Sequence, residues 1–482
     1  MATSGNGDDG SGIYDFKDNK TTGTITITKK WDDGLTNAER EIPDMCLSTE
    51  KPSKSTKGYT ITFHGNGLKF ADGTDENMVV YNSSGQIVEG SYKEAVGTGV
   101  AWYADKACTQ KIEISDAGIP QVELTGDLDL WAKEMTFEIK GYRYGAKNDN
   151  EFNAVIPDAV TEVIFTDEAK PKNKEIIDVD ADGDGGAVAW LDDNAGTVMK
   201  VSTQIPGVKV QAATDSENMF YSRSKLQKID LKMLDTQNVT DMSYMFSGCS
   251  HLTSLDLSSL NTQKVTDMNH IFYDCSGLTS LDLTPLNTQE VMDMDGMFNS
   301  CSRLTSLDLT PLNTKNVTDM CSMFYDCSGL TSLDLTPLDT SKVTDMSTIF
   351  DGCSGLTSLD LSPLDTQNVT NMSYMFDKCY RLTSLDLTPL DTQKVTSMAS
   401  MFNDCSGLTS LDLTPLDTQN VTSMQYMFDG CSGLTSLDLT PLDTQNVTNM
   451  RKMFRDCSGL TSLDLTPLDT QNVTSMQYMF DG

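Results

Sequence analysis

LTSLDLTPLDTQNVTSMQYMFDGCSG, residues 408–433, is followed directly by LTSLDLTPLDTQNVTNMRKMFRDCSG, residues 434–459. The 26-residue frame extends back to Phe220 and on to Phe480, with a Phe at one phase in all eleven occurrences. A fixed period of this length marks units that bury their apolar faces only against their neighbours. The C-terminal part of the chain therefore reads as a solenoid of about ten turns over 215–482. A surface built by repetition suits display or spacing better than a pocket for chemistry.

Within one turn, Leu252, Leu255, Leu257 and Leu260 give LxxLxLxxL. Alternation predicts a strand there, with Ser254, Asp256 and Ser258 on the outer face. Pro285, Pro311 and Pro337 close that strand in later turns, and Asn287 or Asp339 followed by Thr suits an Asx-type turn. Val265 and Met268 return to the core. Ile271, Phe272 and Cys275 predict a short helical or 3₁₀ segment on the opposite side. The first turn departs from the frame at Arg223 and at Lys232-Met233, as a capping repeat does. Nothing comparable closes the turn at Gly482, so an open edge available for self-association is expected.

The chain carries 70 Asp and Glu against 35 Lys and Arg, a formal charge of −35. From Asp215 onward the balance is 34 acids to 14 bases, and the first 214 residues hold the remaining −15. Acidity in both parts disfavours nucleic acid and anionic membrane as partners. No apolar run is long enough for a spanning helix. The start, MATSGNGDDGSG, lacks a signal-peptide pattern, and both ends read as cut from a longer protein. Nine of the twelve Cys share one phase, Cys249 to Cys457. Residues stacked at one phase point the same way, so they read as buried thiols and not as disulfides or a metal cluster.

Ahead of the repeats, GTITITKKW (Gly23 to Trp31) alternates as a strand after a flexible lead over 1–11. A Ser/Lys/Pro linker ends this 12–56 segment. A second β-rich unit covers 57–140, with strands expected at YTITFHGNG, MVVYN, VAWYAD and MTFEIKG. A β-rich connector or cap over 141–214 offers AVTEVIFTD, GAVAWLD and TVMKVSTQI.

NVTDMSYMFSGCSHLTSLDLSSLNT (Asn238 to Thr262) resembles the bacterial BspA-like leucine-rich-repeat surface proteins with a Met-Phe-x-x-Cys core. AVAWLDDNAGTVMKV is similar to the segment that precedes such repeats. YTITFHGNGLKFADGTDENMVVYNSSGQIVEGSYK, with WYADKACT behind it, resembles an internalin-type β-repeat of the β-grasp kind. TITITKKWDDG is similar to the first strand of a collagen-adhesin B-type domain. The resemblance implies a β-rich multidomain protein: small all-β, β-grasp-like domains before a leucine-rich-repeat solenoid. It also implies an extracellular location on a bacterial surface, and a role in adhesion to a host protein or glycan.

Three groups of residues are candidates for binding. In DVDADGDGG, Asp178, Asp180, Asp182 and Asp184 with Gly183 match the early positions of an EF-hand-type Ca²⁺ loop. Ala189 stands where the bidentate Glu would be, so Asp192 or Asp193 would have to substitute, and an acidic β-turn is the alternative. The outer-face column Asp256, Asp282, Asp308, Asp334 and its equivalents is a like-charge ladder, costing roughly 0.8 kcal/mol per neighbouring pair at ~5 Å in water. Hydrogen bonds from flanking Ser and Thr, raised pKa values or bound cations could each relieve it. Tyr374, Tyr426 and Tyr478 share one phase on alternate turns, Tyr244 shares it too, and Tyr273, Tyr325 and Tyr380 lie on the same side. No other cofactor is indicated.

His64, His251 and His270, the only imidazoles, stand in no catalytic spacing, and the acids recur in identical settings, so no enzyme is expected. The strand face hardly varies between turns, whereas residues around the Met-Phe segment do. A ligand of the strand face would have to be repetitive, while a protein would bind the Met-Phe side. A rigid spacer or self-assembling coat without a ligand is the alternative; ice binding is disfavoured by an Asp in every turn.

Overall fold

The structure, a computed structural model, describes residues 58–81, 86–115, 119–122, 126–141 and 151–481. The lead over 1–11, the adhesin-like strand at Gly23–Trp31 and Cys46 lie outside them. Among the described residues the chain is mostly β and turn, with helix confined to α1 (Phe152–Val155).

The first sheet has six strands: β1 (Tyr59–His64), β2 (Glu76–Tyr81), β3 (Ile87–Glu89), β4 (Val100–Tyr103), β5 (Lys111–Ile112) and β6 (Leu128–Glu134). Their order is β3-β2-β1-β6-β4-β5, with the central pair β1 and β6 parallel. Alternation explains its core: Ile61, Phe63, Val79, Tyr81, Trp102, Leu130 and Ala132 point inward and are buried. Strands form at YTITFH, ENMVVY and VAWY, but MTFEIKG makes only isolated bridges, Glu138 to Gln211 and Ile139 to Asp180. The strand lies just before it, at LDLWAKE, whose charged residues alternate with the inward Leu128, Leu130 and Ala132.

A second sheet, ordered β12-β7-β10-β9-β8, joins β7 (Glu162–Thr166), β8 (Ile177–Asp178), β9 (Val188–Leu191) and β10 (Val198–Ser202) to β12 (Lys228–Asp230). β12 belongs to the first repeat and pairs parallel with β7. A two-stranded pair, β11 (Val210–Gln211) with β13 (Leu234–Asp235), makes a second such join. Phe152 and Phe165 pack edge-on to Phe220, 6.0 and 6.5 Å between ring centres. One continuous hydrophobic core therefore runs from Ile139 through this sheet into the repeats.

The repeats stack turn on turn. Phe220 to Phe480 form a ladder of near-parallel rings with centres 5.6–6.0 Å apart. Leu252, Leu255, Leu257, Leu260, Val265, Met268, Ile271, Phe272 and Cys275 are all buried. Each Cys of the column is a free thiol. Each Sγ donates to the Phe carbonyl 29 residues earlier, as Cys353 does to Phe324 at 3.1 Å. Burial pushes these thiols up, Cys249 to about 12.

Two local expectations change. Beyond β12, the SLDLT segments carry no inter-turn ladder; among the described residues one backbone bond crosses there, Thr435 N to Thr409 O at 3.5 Å. The Asp side chain takes the amide two residues on, as Ser258 N does with Asp256 at 2.9 Å, which removes a donor a ladder would need. The Met-Phe segment is no regular helix either. Its amides alternate: Tyr244, Phe246 and Gly248 donate to the next turn, while Met245, Ser247 and Cys249 close i→i−3 turns within their own.

Candidate functional site

The alternating Met-Phe segment requires two left-handed residues per turn. One is two positions before the Phe: Tyr244 (φ 53°), His270 (φ 52°), Thr348 (φ 55°), Tyr374 (φ 60°), Tyr426 (φ 59°) and Tyr478 (φ 59°). Bulky side chains are uncommon in this region of backbone space. The segment opens on a further column, whose members bridge in parallel from turn to turn: Asp215, Asp241, Asp267, Asp293, Asp319, Asp345, then Asn371, Ser397, Ser423, Asn449 and Ser475. Each Asp from Asp241 to Asp345 caps its own turn, accepting the amide two residues on at 2.8–2.9 Å. Asn371 and Asn449 make the same bond at 3.1 Å. The cap needs an oxygen and not a charge.

Some of the charge on this side is nevertheless held at a cost. Burial, followed by repulsion from neighbouring acids, pushes Asp295 and Glu217 up to about 7. Burial likewise pushes Asp267 up to about 6, with Asp241 and Asp293 adding to the rise. Asp295 Oδ1, Asn269 Oδ1 and His270 Nδ1 are buried without a hydrogen bond. His270 stacks on Tyr244 at 4.7 Å between centres, Tyr221 meets Tyr244 at 6.2 Å, and Tyr273 meets His270 at 5.4 Å. His270 Nδ1 lies 3.8 Å from Asp295 Oδ2, and burial lowers the imidazole's pKa. An aromatic cluster thus borders an acidic stripe. Further along, cations enter the same side: Lys378 pairs with Asp377 at 2.9 Å and Asp351 at 3.5 Å, and Arg455 with Asp429 at 2.8 Å. Lys452 sits over the Tyr426 ring at 5.2 Å.

A family profile described as "Mycoplasma protein of unknown function, DUF285" matches residues 193–307, 298–410, 324–432 and 381–482, more than half of the chain. The chain belongs to this family. No curated protein matches the DUF285 chain. Among solved structures it is similar to one described as "Crystal structure of TLR13-ssRNA13 complex", at 20% identity and TM-score 0.24 over 54% of this chain and 36% of that one. It is also similar to the "Functional domain of InlJ from Listeria monocytogenes", which "includes a cysteine ladder", at 18% identity and TM-score 0.20 over 58% and 70%. The match spans about a third of the first of these structures.

Within the DUF285 repeats, Asp256, Asp282, Asp308 and Asp334 are exposed, and each accepts the amide two residues on at 2.9 Å. Hydrogen bonds from the hydroxyl and amide of Ser258, and from the amide and hydroxyl of Thr310 and of Thr336, hold Asp256, Asp308 and Asp334 below the ordinary carboxylate range. Tyr374 and Tyr478 are exposed and Tyr426 is half-buried, but no ring contact joins the three; Ser400 and Lys452 stand between them. Of the four loop aspartates, the structure gathers Asp180, Asp182 and Asp184, with one carboxylate oxygen of each within 4.8 Å of the others. Asp178 turns away to pair with Lys140 at 2.9 Å. Asp215, Glu217 and Asp241 converge equally closely. That stripe went unnoticed in the sequence, although reading one column down the 26-residue frame shows six Asp and then none; His270 was read there only as an imidazole outside any catalytic spacing.

Proposed function

We propose that this chain is a non-enzymatic interaction protein of a bacterial cell surface. Its repeats form a leucine-rich-repeat solenoid of the BspA-like kind, preceded by an internalin-type β-grasp unit. The Met-Phe side is the binding surface, and its ligand is a protein segment rich in Lys and Arg. One observation carries this reading: the cap is made equally by Asn in later turns, yet six consecutive turns keep a half-buried Asp, the first three of them beside an aromatic cluster. Carboxylates with exposed Tyr faces suit ammonium and guanidinium groups, through ion pairs and cation–π contacts.

The test is binding of the whole chain to a Lys/Arg-rich peptide and to a panel of extracellular-matrix proteins and glycans, across a salt series. Asp267→Asn with Asp293→Asn keeps the caps and should weaken binding roughly tenfold, with a shallower salt dependence. Equal binding by that variant removes the reading. A second reading, a spacer or self-assembling coat, draws on the uniform SLDLT face; it is preferred if peptide and panel alike are not bound.

A further inference from the structure

The loop between β8 and β9 contains a built feature that the repeats do not use. Asp180 is 2% exposed and Asp184 is 2% exposed, both in a turn whose backbone is left-handed at Gly183 and Gly185. Asp184 is fully engaged: one oxygen takes Gly186 N at 2.9 Å and the other takes Thr136 N at 2.9 Å. Asp182 pairs with Lys133 Nζ at 2.8 Å. Asp180 has one oxygen on Gly185 N at 2.5 Å, while its Oδ1 is buried with no partner. A carboxylate oxygen left in that state is costly unless something supplies charge to it.

The geometry points to a divalent-cation site formed by Asp180, Asp182 and Asp184, with Ca²⁺ as the ion. Three carboxylates less the ammonium of Lys133 leave two negative charges, which a divalent cation balances; Lys111, whose Nζ lies beside Gly185, is paired with Glu113 at 3.1 Å. All-oxygen donors select a hard cation, and an irregular loop suits calcium, which tolerates varied geometry, better than magnesium, which demands an octahedron. Asp178 is not a ligand, because it is committed to Lys140 and lies outside the cluster. The ion would act on the architecture. Lys133 is the next-to-last residue of β6, and the segment behind that strand meets the loop through Ala181 N to Glu138 O at 3.0 Å and Lys140 N to Val179 O at 2.9 Å. A cation here ties the first sheet to the sheet that covers the repeats, using residues distinct from the acidic stripe.

Calcium titration of the whole chain by calorimetry, with Tb³⁺ luminescence excited through tyrosine as a second readout, tests the assignment. One equivalent is expected, at about 0.1–1 mM as in extracellular calcium modules. Asp180→Asn should weaken it roughly tenfold or more, and so should Asp182→Asn, a half-exposed position where folding is safe. Asp178→Asn should leave it unchanged, and Lys133→Met should tighten it. Hydrogen exchange at the Thr136 amide should slow when Ca²⁺ is added. No calcium uptake by the folded chain overturns the assignment, and so does uptake seen only in Lys133→Met, which would make Lys133 the resident counter-ion. Loss of uptake in the Asp267→Asn, Asp293→Asn variant would also overturn it, because the ion would then sit on the stripe.

Discussion

Tyr374 combines two properties that pull in opposite directions. Its backbone is left-handed at φ 60°, where a bulky residue is strained, and its ring is exposed. Glycine holds the same phase at Gly296 with φ 56°, so the fold accepts a residue without that strain. Tyr374→Asn is therefore expected to raise stability by about 1 kcal/mol, since Asn tolerates the left-handed region. Urea unfolding measures it; a loss of stability would mean that the ring is held for packing. Should the same variant lose ligand, strain and function share one residue, as they do where binding sites keep costly backbone. The periodic sequence placed Tyr374, Tyr426 and Tyr478 at one phase, but the left-handed backbone was not legible, because nothing in a Tyr announces a positive φ.

At the scale of the repeat, the polar residue that matters most for cohesion is a threonine. Thr366 is 2% exposed; its hydroxyl donates to Asp391 O at 2.9 Å and accepts Asp391 N at 2.7 Å, joining adjacent turns. The same reciprocal pair recurs at Thr262 with Asn287 and at Thr340 with Asp365. Thr366→Val keeps the shape and strands two backbone groups, so a loss of about 2–3 kcal/mol is expected, while Thr366→Ser should recover most of it. Equal melting of the Val and Ser variants would show that the column acts through packing alone. The motif DT was legible as a turn because Asp and Asn cap their own backbone. Its Thr as an inter-turn clamp was not, since that bond spans 25 residues and depends on how closely turns approach.

For the molecule as a whole, the raised carboxyls set a pH dependence. Asp295 and Asp351 lie near 7 and Asp267 near 6, in each case chiefly through burial, against an ordinary 3.8. A carboxyl raised on folding favours the folded state fully below its unfolded pKa, and that contribution is lost as pH rises through the folded value. The melting temperature should therefore rise as pH falls from about 8 to about 5. Asp295→Asn should stabilise the chain at pH 8 by on the order of 1 kcal/mol, allowing for partial solvent screening, and flatten that slope. A melting temperature that falls over the same window would contradict the electrostatic picture. Sequence alone determined the period, the buried Leu, Val, Met, Phe and Cys columns, and the strands at YTITFH, VAWY and VMKVS, because apolar spacing records which side faces a core. Tertiary structure alone decided that the inter-turn backbone ladder runs along the Met-Phe segment and not along SLDLT. It also decided that Asp180 is buried while Asp178 is not, and that six aspartates 26 residues apart line up in one column whose first turns carry Tyr244 and His270. Those outcomes depend on distances between turns and between sheets, which no local run of residues encodes.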